Sequence, residues 1–291
     1  MNAPYDCELV SDITAFAADT RDWLAEGPLS NNVTATLVAQ RADGTVATEP
    51  DGLWLKVMRG GEVAGVVIQT PPRGLLLTAM DTDAVAAVVD AISRVRPQVP
   101  AANGPKRVSD HFAALWSVRT GCTATAIFSS RMYQVTDVRP PANVVGRRRA
   151  ATLADRDTVA AWLLAWAADG SAASEAPGLR HLVATYEARL TAGQPQWIWE
   201  VDGEAVSFAM ESPPSAGVVR LQAVYTPDMH RSNGYASALV ARISSDVLAR
   251  PGVRACTLYT DLSNPVSNNI YRRIGYRPVE DSVNYGFEYP T

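Results

Sequence analysis

Residues 221–240 read LQAVYTPDMHRSNGYASALV and hold a strand, a polar turn and the opening of a helix in direct succession. The strand expected over Val218–Thr226 is apolar enough to be an inner, buried one. Pro227 lacks a backbone donor and ends it. The turn Asp228–Asn233 carries His230 and Arg231, and Gly234 lets the backbone come close to whatever lies over the turn. Beyond it Ala236, Leu239, Val240, Ile243 and Val247 fall on one helical face. The first N–H groups of such a helix have no intrahelical acceptor and sit at the positive end of its dipole. With an arginine beside them they suit a phosphate group, so the chain is expected to be organised around a pyrophosphate site.

Composition sets the class around that stretch. The chain has 291 residues, 47% apolar and 19% charged, with a formal net charge of −4. Its length accommodates two domains. Its mild acidity argues against nucleic acid or an anionic membrane as the main partner. The basic run Arg147-Arg148-Arg149 reads as the solvated start of a strand. Cys7, Cys122 and Cys256 are scattered, so buried free thiols are expected in place of disulfides, metal ligands or a nucleophile. With only His111, His181 and His230 available, no metal is expected. The N-terminal stretch has no apolar h-region and no run approaches about 18 apolar residues, so neither a signal peptide nor a membrane span is expected. A cytoplasmic setting fits these features.

Along the chain, Asp12–Glu26 reads as an amphipathic helix broken by Gly27-Pro28. Asn32–Arg41, Leu53–Arg59 and Glu62–Thr70 read as strands of a meander, the last two joined at Gly60-Gly61. A short apolar strand follows at Leu75–Ala79. Val85, Val88, Val89 and Ile92 give Thr82–Val95 helical spacing, with Asp81 as N-cap. Asn103-Gly104-Pro105 reads as a turn, Val108–Thr120 as a helix closed by Gly121, and Ser129–Val138 as a strand. Arg139-Pro140-Pro141-Ala142-Asn143 is a break in composition, which puts the boundary between domains 1–140 and 141–291 there. The same order then recurs. Strand Arg148–Ala151 precedes a helix opened by Thr152 and Asp155 and a second helix over about Pro177–Ala192. A hairpin of Gln196–Val201 and Ala205–Ser212 turns at Asp202-Gly203. After the opening stretch come strand Ala255–Thr260, helix Pro265–Ile274 with Gly275 as its cap, and a closing strand near Asn284–Tyr289. This recurrence predicts two copies of one mixed α/β (α+β) domain in tandem.

The residues Arg231-Ser232-Asn233-Gly234-Tyr235-Ala236 resemble the acyl-CoA loop, Arg/Gln-x-x-Gly-x-Gly/Ala, of the GNAT (Gcn5-related N-acetyltransferase) superfamily. The preceding Val224-Tyr225-Thr226-Pro227 resembles that family's central strand. Downstream, Asn264-Pro265-Val266-Ser267-Asn268-Asn269-Ile270-Tyr271 and Arg272-Arg273-Ile274-Gly275-Tyr276 are similar to its Asn-x-x-Ala-x-x-Leu-Tyr-x-x-x-Gly-Phe. The motif resemblance covers roughly Arg148–Tyr289, and the first half shares only the order of elements, as a degenerate copy would. The resemblance implies that Arg231–Ala236 and Ser237 give backbone N–H groups to the pyrophosphate of acetyl-CoA. It implies that Val224–Thr226 splays from Cys256–Thr260 and pairs with the pantetheine arm, with the N–H near Val224 polarising the thioester carbonyl. Asn264 would contact the same arm, and Tyr271 would protonate the leaving thiolate. The implied activity is transfer of an acetyl group to the amine of a small molecule by direct attack in a ternary complex. Spacing alone puts Asn264, Ser267, Tyr271 and Ile274 near one helical face, so Asn264 and Tyr271 can point into one groove.

Several positions depart from the family pattern. Ser232 stands in place of the usual first glycine, Asn233 where a second basic residue is common, and Ser267 in place of alanine. Ser232 then needs a backbone angle allowed to a residue with a side chain. The amine must shed a proton, and Glu211, ending the strand beside the central one, is the first candidate for the base, ahead of Glu200, His230 and Asp261. A water chain would need none of them, and Asp261 is read as bracing the Asn264 helix. In the first half the matching position is Met80-Asp81-Thr82-Asp83-Ala84, with carboxylates where phosphates would go, so no working CoA site is expected there. Trp162, Trp166, Trp197, Trp199 and Tyr285 could line an acceptor pocket and would serve equally in a core. Two other readings stay open. One is a same-fold acyltransferase using another donor, such as aminoacyl-tRNA, the one route to a nucleic-acid partner. The other is a non-catalytic CoA-binding regulatory module. Both a monomer and a homodimer are compatible with the sequence.

Overall fold

Contacts divide the chain after Ser130 and after Val279: residues up to Ser130 and from Glu280 onward form one unit, and Arg131–Val279 the other. The computed structural model describes residues 5–169 and 179–290. The break at Arg139–Asn143 is a surface loop of the second unit. Val138 and Val144, on either side of it, pack on that unit's core, and the Arg139 N–H donates to the Ile274 carbonyl.

In the first unit, alternating apolar residues build an antiparallel run of β1 (Tyr5–Leu9), β2 (Leu53–Arg59) and β3 (Glu62–Gln69), continued by β4 (Leu75–Leu77). β5 (Ala101–Pro105) joins β4 in parallel, and Ser282–Gly286 lies antiparallel on β5. Because successive side chains point to opposite faces, Val67 packs with α3 (Thr82–Val95) and α4 (Lys106–Thr120). Val66 and Ile68 pack with α1 (Ile13–Glu26) and α2 (Asn32–Ala42).

Two expectations fail here. Asn32–Ala42 is a helix, not a strand: Thr36 Oγ1 donates back to the Asn32 carbonyl at 2.9 Å, and packing against α1 overrides the β preference of its Val and Thr residues. Asn103-Gly104-Pro105 is strand and not turn. A Cβ on Gly104 would stand 2.7 Å from the Leu77 carbonyl oxygen, so the glycine serves close approach of two strands.

The second unit is a sheet in the order β6 (Thr123–Val135, of which Arg131–Val135 belongs here), β11 (Ala255–Asp261), β10 (Val218–Tyr225), β9 (Glu204–Glu211), β8 (Gln196–Val201) and β7 (Arg147–Ala150). The β8–β9 hairpin turns through Asp202 and Gly203 at φ 49° and 86°, the left-handed pair that suits strand twist. A capping box between Thr152 and Asp155 opens α5 (Arg156–Asp169) through a short 3-10 turn. α6 is Leu179–Thr191, and the expected start at Pro177 lies outside the described residues. α7 (Tyr235–Leu248) and α8 (Pro265–Arg273) pack with Val219, Leu221, Cys256 and Leu258, while α5 and α6 pack with Ile198, Phe208 and Ala223. β12 is Arg277–Glu288. No helix among the described residues is long and apolar enough to cross a membrane.

Candidate active site

β10 pairs with β11 through Val218–Arg220 against Ala255–Thr257; beyond that register the two strands part. On its other side β10 pairs Leu221 with Glu211 and Gln222 with Met210, then resumes at Tyr225 with Phe208. Ala223 and Val224 thus oppose a single β9 residue in a β-bulge, with Ala223 at φ 50°. A bulge frees backbone groups from the ladder, and here it does so where the neighbouring strand has moved away. Ser207, fully buried on β9, holds the far side: its hydroxyl donates to the Tyr225 carbonyl at 3.0 Å and accepts from Thr226 Oγ1 at 2.9 Å.

Pro227 then stops the strand, and a 3-10 turn over Asp228–His230 leads to the loop. Arg231 Nε donates to the Thr226 carbonyl at 3.1 Å and its guanidinium pairs with Asp228 at 2.9 Å, so this arginine also shapes the turn. His230 pairs with Glu204 at 3.2 Å, which gives it a structural partner. Gly234 is the N-cap of α7 at φ 81° with no side-chain cap. Among the described residues, the N–H groups of Ser232, Asn233, Gly234, Tyr235, Ala236 and Ser237 find no acceptor. Six adjacent donors at the positive end of a helix make an anion cradle. Ser232 adopts φ 68°, the left-handed region that the family's glycine would enter without strain. Ser232→Gly is therefore expected to raise stability by up to about 1 kcal/mol, the left-handed cost less the entropy of glycine. Thermal melts of the two proteins check this.

Asn264 caps α8 by accepting from the Ser267 N–H at 3.0 Å, with Pro265 at the first helical position. Asn264 is itself exposed, which leaves it open to a further contact. Sequence reasoning missed Asn268. Its Nδ2 donates to the Asp261 and Asn264 carbonyls, each at 2.7 Å, and its Oδ1 accepts from Tyr133 at 2.9 Å. Asn268 thereby fixes the junction of β11 and α8, helped by Asp261, whose carboxylate accepts from Ser263. Tyr271 follows one turn further on, packed against Tyr133 at 6.5 Å and Tyr276 at 5.9 Å between centroids. Its hydroxyl makes no hydrogen bond among the described residues and is not sealed from solvent.

Burial pushes the Tyr271 phenol up, and the Tyr276 phenol, hydrogen-bonded to Ser244, well up. Both stay protonated in the fold past the pH, about 10, where tyrosines of an unfolded chain ionise. The unfolded state then binds fewer protons, so stability is complete below about pH 10 and falls above it by about 1.4 kcal/mol per pH unit for each group. Urea midpoints across the alkaline range measure this, and Tyr276→Phe should flatten the slope.

Glu211 does not fit the role of base. It is fully buried, opposite Leu221 and short of the bulge. Trp197 Nε1 donates to its Oε1 at 2.5 Å, while Arg250 Nη1 donates to Oε2 at 2.7 Å and Nη2 to Oε1 at 3.1 Å. A carboxylate that is fully buried and held by three N–H donors is not placed to take a proton from an incoming amine. Glu200 is likewise taken, by Arg147 and Arg149. The basic run is a set of paired side chains: Arg149 also binds Asp155, and Arg148 binds Asp246 and lies over the Trp197 ring. The free thiols Cys122 and Cys256 are buried, and burial lifts Cys256 to about 12, far from a nucleophile's range. Among the described residues no group of three or more His, Cys, Asp or Glu could hold a metal ion.

The first unit differs at both corresponding places. The start of α3 carries Asp81, whose carboxylate accepts from Tyr5 at 2.5 Å and pairs with Arg59 at 3.4 Å instead of capping the helix. β4 and β5 do not part. Gly104 faces the Leu77 carbonyl, and a Cβ on Gly74 would collide with the Ala101 carbonyl, so glycines close the strands on one another.

Residues 160–276 match the family model described as the acetyltransferase (GNAT) family. No curated protein matches the chain. Solved structures match almost end to end at low identity. An acetyltransferase of the GNAT family from Colwellia psychrerythraea is 11% identical, with 98% of this chain and 100% of that one covered and a TM-score of 0.61. A GCN5-related N-acetyltransferase from Sphaerobacter thermophilus is 15% identical, with 96% and 94% covered and a TM-score of 0.62. A tandem GNAT protein from the clavulanic acid biosynthesis pathway is 13% identical, with 98% and 100% covered and a TM-score of 0.59. At these identities the structures speak for the fold alone: over almost its whole length the chain shares the fold of these GNAT proteins, a tandem one among them, and the match to the acetyltransferase (GNAT) family itself covers residues 160–276 in the second half of the chain.

Proposed function

We propose that the second unit transfers an acetyl group from acetyl-CoA to the amine of a small molecule. The observation that carries this is the run of acceptor-free N–H groups from Ser232 to Ser237, set directly after a bulged strand that has parted from its neighbour. That cradle fits a pyrophosphate, and the open edge at Val224–Thr226 fits an extended amide arm. Acetyl-CoA supplies an acetyl group already activated as a thioester. Ser232–Ser237 bind its phosphates, with Arg231 holding the turn and adding positive charge. Backbone at Val224, Tyr225 and Thr226, with Asn264 across the opening, orients the arm, and the N–H near Val224 polarises the carbonyl. The amine nitrogen attacks that carbonyl carbon, the carbon–sulfur bond breaks, and Tyr271 gives its proton to the departing sulfur. With Glu211 and Glu200 in ion pairs, the proton lost by the amine leaves to water. The first unit takes no part in CoA binding, because Asp81 and Asp83 would repel phosphates and β4 stays closed on β5. Among the described residues no activated Ser or Cys is available for a covalent step. Release of CoA thiol that needs both acetyl-CoA and an amine tests the reading. An acetylated protein after incubation with acetyl-CoA alone would contradict the direct transfer.

A further inference from the structure

Five aromatic residues are available for an acceptor pocket, and three are engaged elsewhere. Trp197 lies under Arg148 and donates to Glu211, Trp199 donates to the Val145 carbonyl, and Tyr285, in the first unit, donates to Asp110. Trp162 and Trp166 remain. They stand four residues apart on α5 and so share one face of it. The core side of α5 is supplied by Val159, Leu163 and Ala167, all buried, whereas Trp162 is half-buried and Trp166 is 42% exposed. Leaving about two-fifths of Trp166 in water forgoes part of a large hydrophobic gain, which makes an exposed Trp beside a site informative. The Trp162 ring meets the Tyr225 ring at 6.3 Å and 47°. Tyr225 is the residue at which β10 regains its register after the bulge, and Trp162 packs on the cluster that contains Ala223. Tyr225, Trp162 and Trp166 therefore form an aromatic row that starts at the reacting strand and runs outward along α5.

We propose that this row is the acceptor subsite and that the acceptor is a primary amine carried on a flat aromatic body; the proposal rests on the acyl-transfer reading above. The ring would lie along Trp162 and Trp166, offset or edge-on as aromatic pairs prefer. The amine would then reach toward Val224. An amine arriving as its ammonium is attracted to the faces of the same rings before it loses its proton. The thin methylene chain of a polyamine or the C–H face of an amino sugar covers less of the row than a fused ring does, so each gains less from it.

The test is calorimetry on the full chain, first with CoA, then on CoA-saturated protein with tryptamine and, separately, spermidine. Wild type, Trp166→Ala and Trp162→Phe are compared; Trp166 is exposed enough that its alanine variant keeps the fold, and Trp162→Phe keeps a ring where Trp162 enters the core. Saturable binding of tryptamine, tighter than that of spermidine and weakened about tenfold by Trp166→Ala with the CoA affinity unchanged, is the expected result. Absence of tryptamine binding, equal binding by Trp166→Ala, or tighter binding of spermidine overturns the proposal. Absence of CoA binding is a separate failure, of the acyl-transfer reading. The tryptamine titration then runs on the CoA-free protein and is judged by the same outcomes.

Discussion

Tyr271→Phe is expected to lower kcat about a hundredfold while leaving the KM for acetyl-CoA within about twofold. The substitution removes one hydroxyl and keeps the ring, so its tilted and edge-on packing against Tyr133 and Tyr276 survives and the helix that carries it stays in place. The hydroxyl has no hydrogen-bond partner to leave stranded among the described residues, so the loss is one of chemistry and not of folding. Burial holds this phenol protonated through the neutral range, as an acid that must be loaded before the thiolate departs. The effect should shrink for acyl donors with a more acidic thiol, whose leaving group needs the proton less. An unchanged kcat with a sound melting curve would remove Tyr271 from the reaction.

Arg250→Ala is expected to destabilise the protein by about 3 kcal/mol. It takes both guanidinium donors from a carboxylate with no access to water, leaving the Trp197 N–H as its remaining partner. Arg250 itself is 39% exposed and loses little by going. Glu211→Gln separates the structural role from a catalytic one. It keeps much of the hydrogen bonding, so the melting temperature should fall while kcat changes less than about threefold. A general base would cost roughly 100-fold or more at that position. A large fall in kcat without loss of stability would restore Glu211 as the base.

What the sequence makes legible is local. Leu221–Val240 shows its strand, stop and helix because Pro227 and Gly234 punctuate it, and Thr82–Val95 shows its helix because apolar residues recur at helical spacing. The positions of Arg231, Gly234 and Asn264 follow from those local rules. What stays hidden depends on contacts distant in the chain. Nothing about alanine marks Ala223 as the left-handed residue of a bulge; strands on both sides of it create that position. Glu211 looks available in the sequence because its captor, Arg250, is thirty-nine residues downstream. Ser207 and Asn268 act through hydrogen bonds to backbone that no spacing rule reports. Asn32–Ala42 is rich in Val and Thr, yet it folds as a helix because α1 offers it a surface. Composition marks a proline-rich surface loop at Arg139–Asn143, whereas the contacts divide the chain within β6 and β12, where no change in composition signals it.

The central claim is one acetyl-CoA site per chain, built on the Arg231–Ser237 loop. Isothermal titration of the wild type with acetyl-CoA should give saturable binding at one molecule per chain. Arg231→Glu should weaken it at least tenfold, since it places a negative charge beside the phosphates and breaks the pair with Asp228. No binding by the wild type, or two molecules per chain with one site indifferent to Arg231→Glu, would contradict the account.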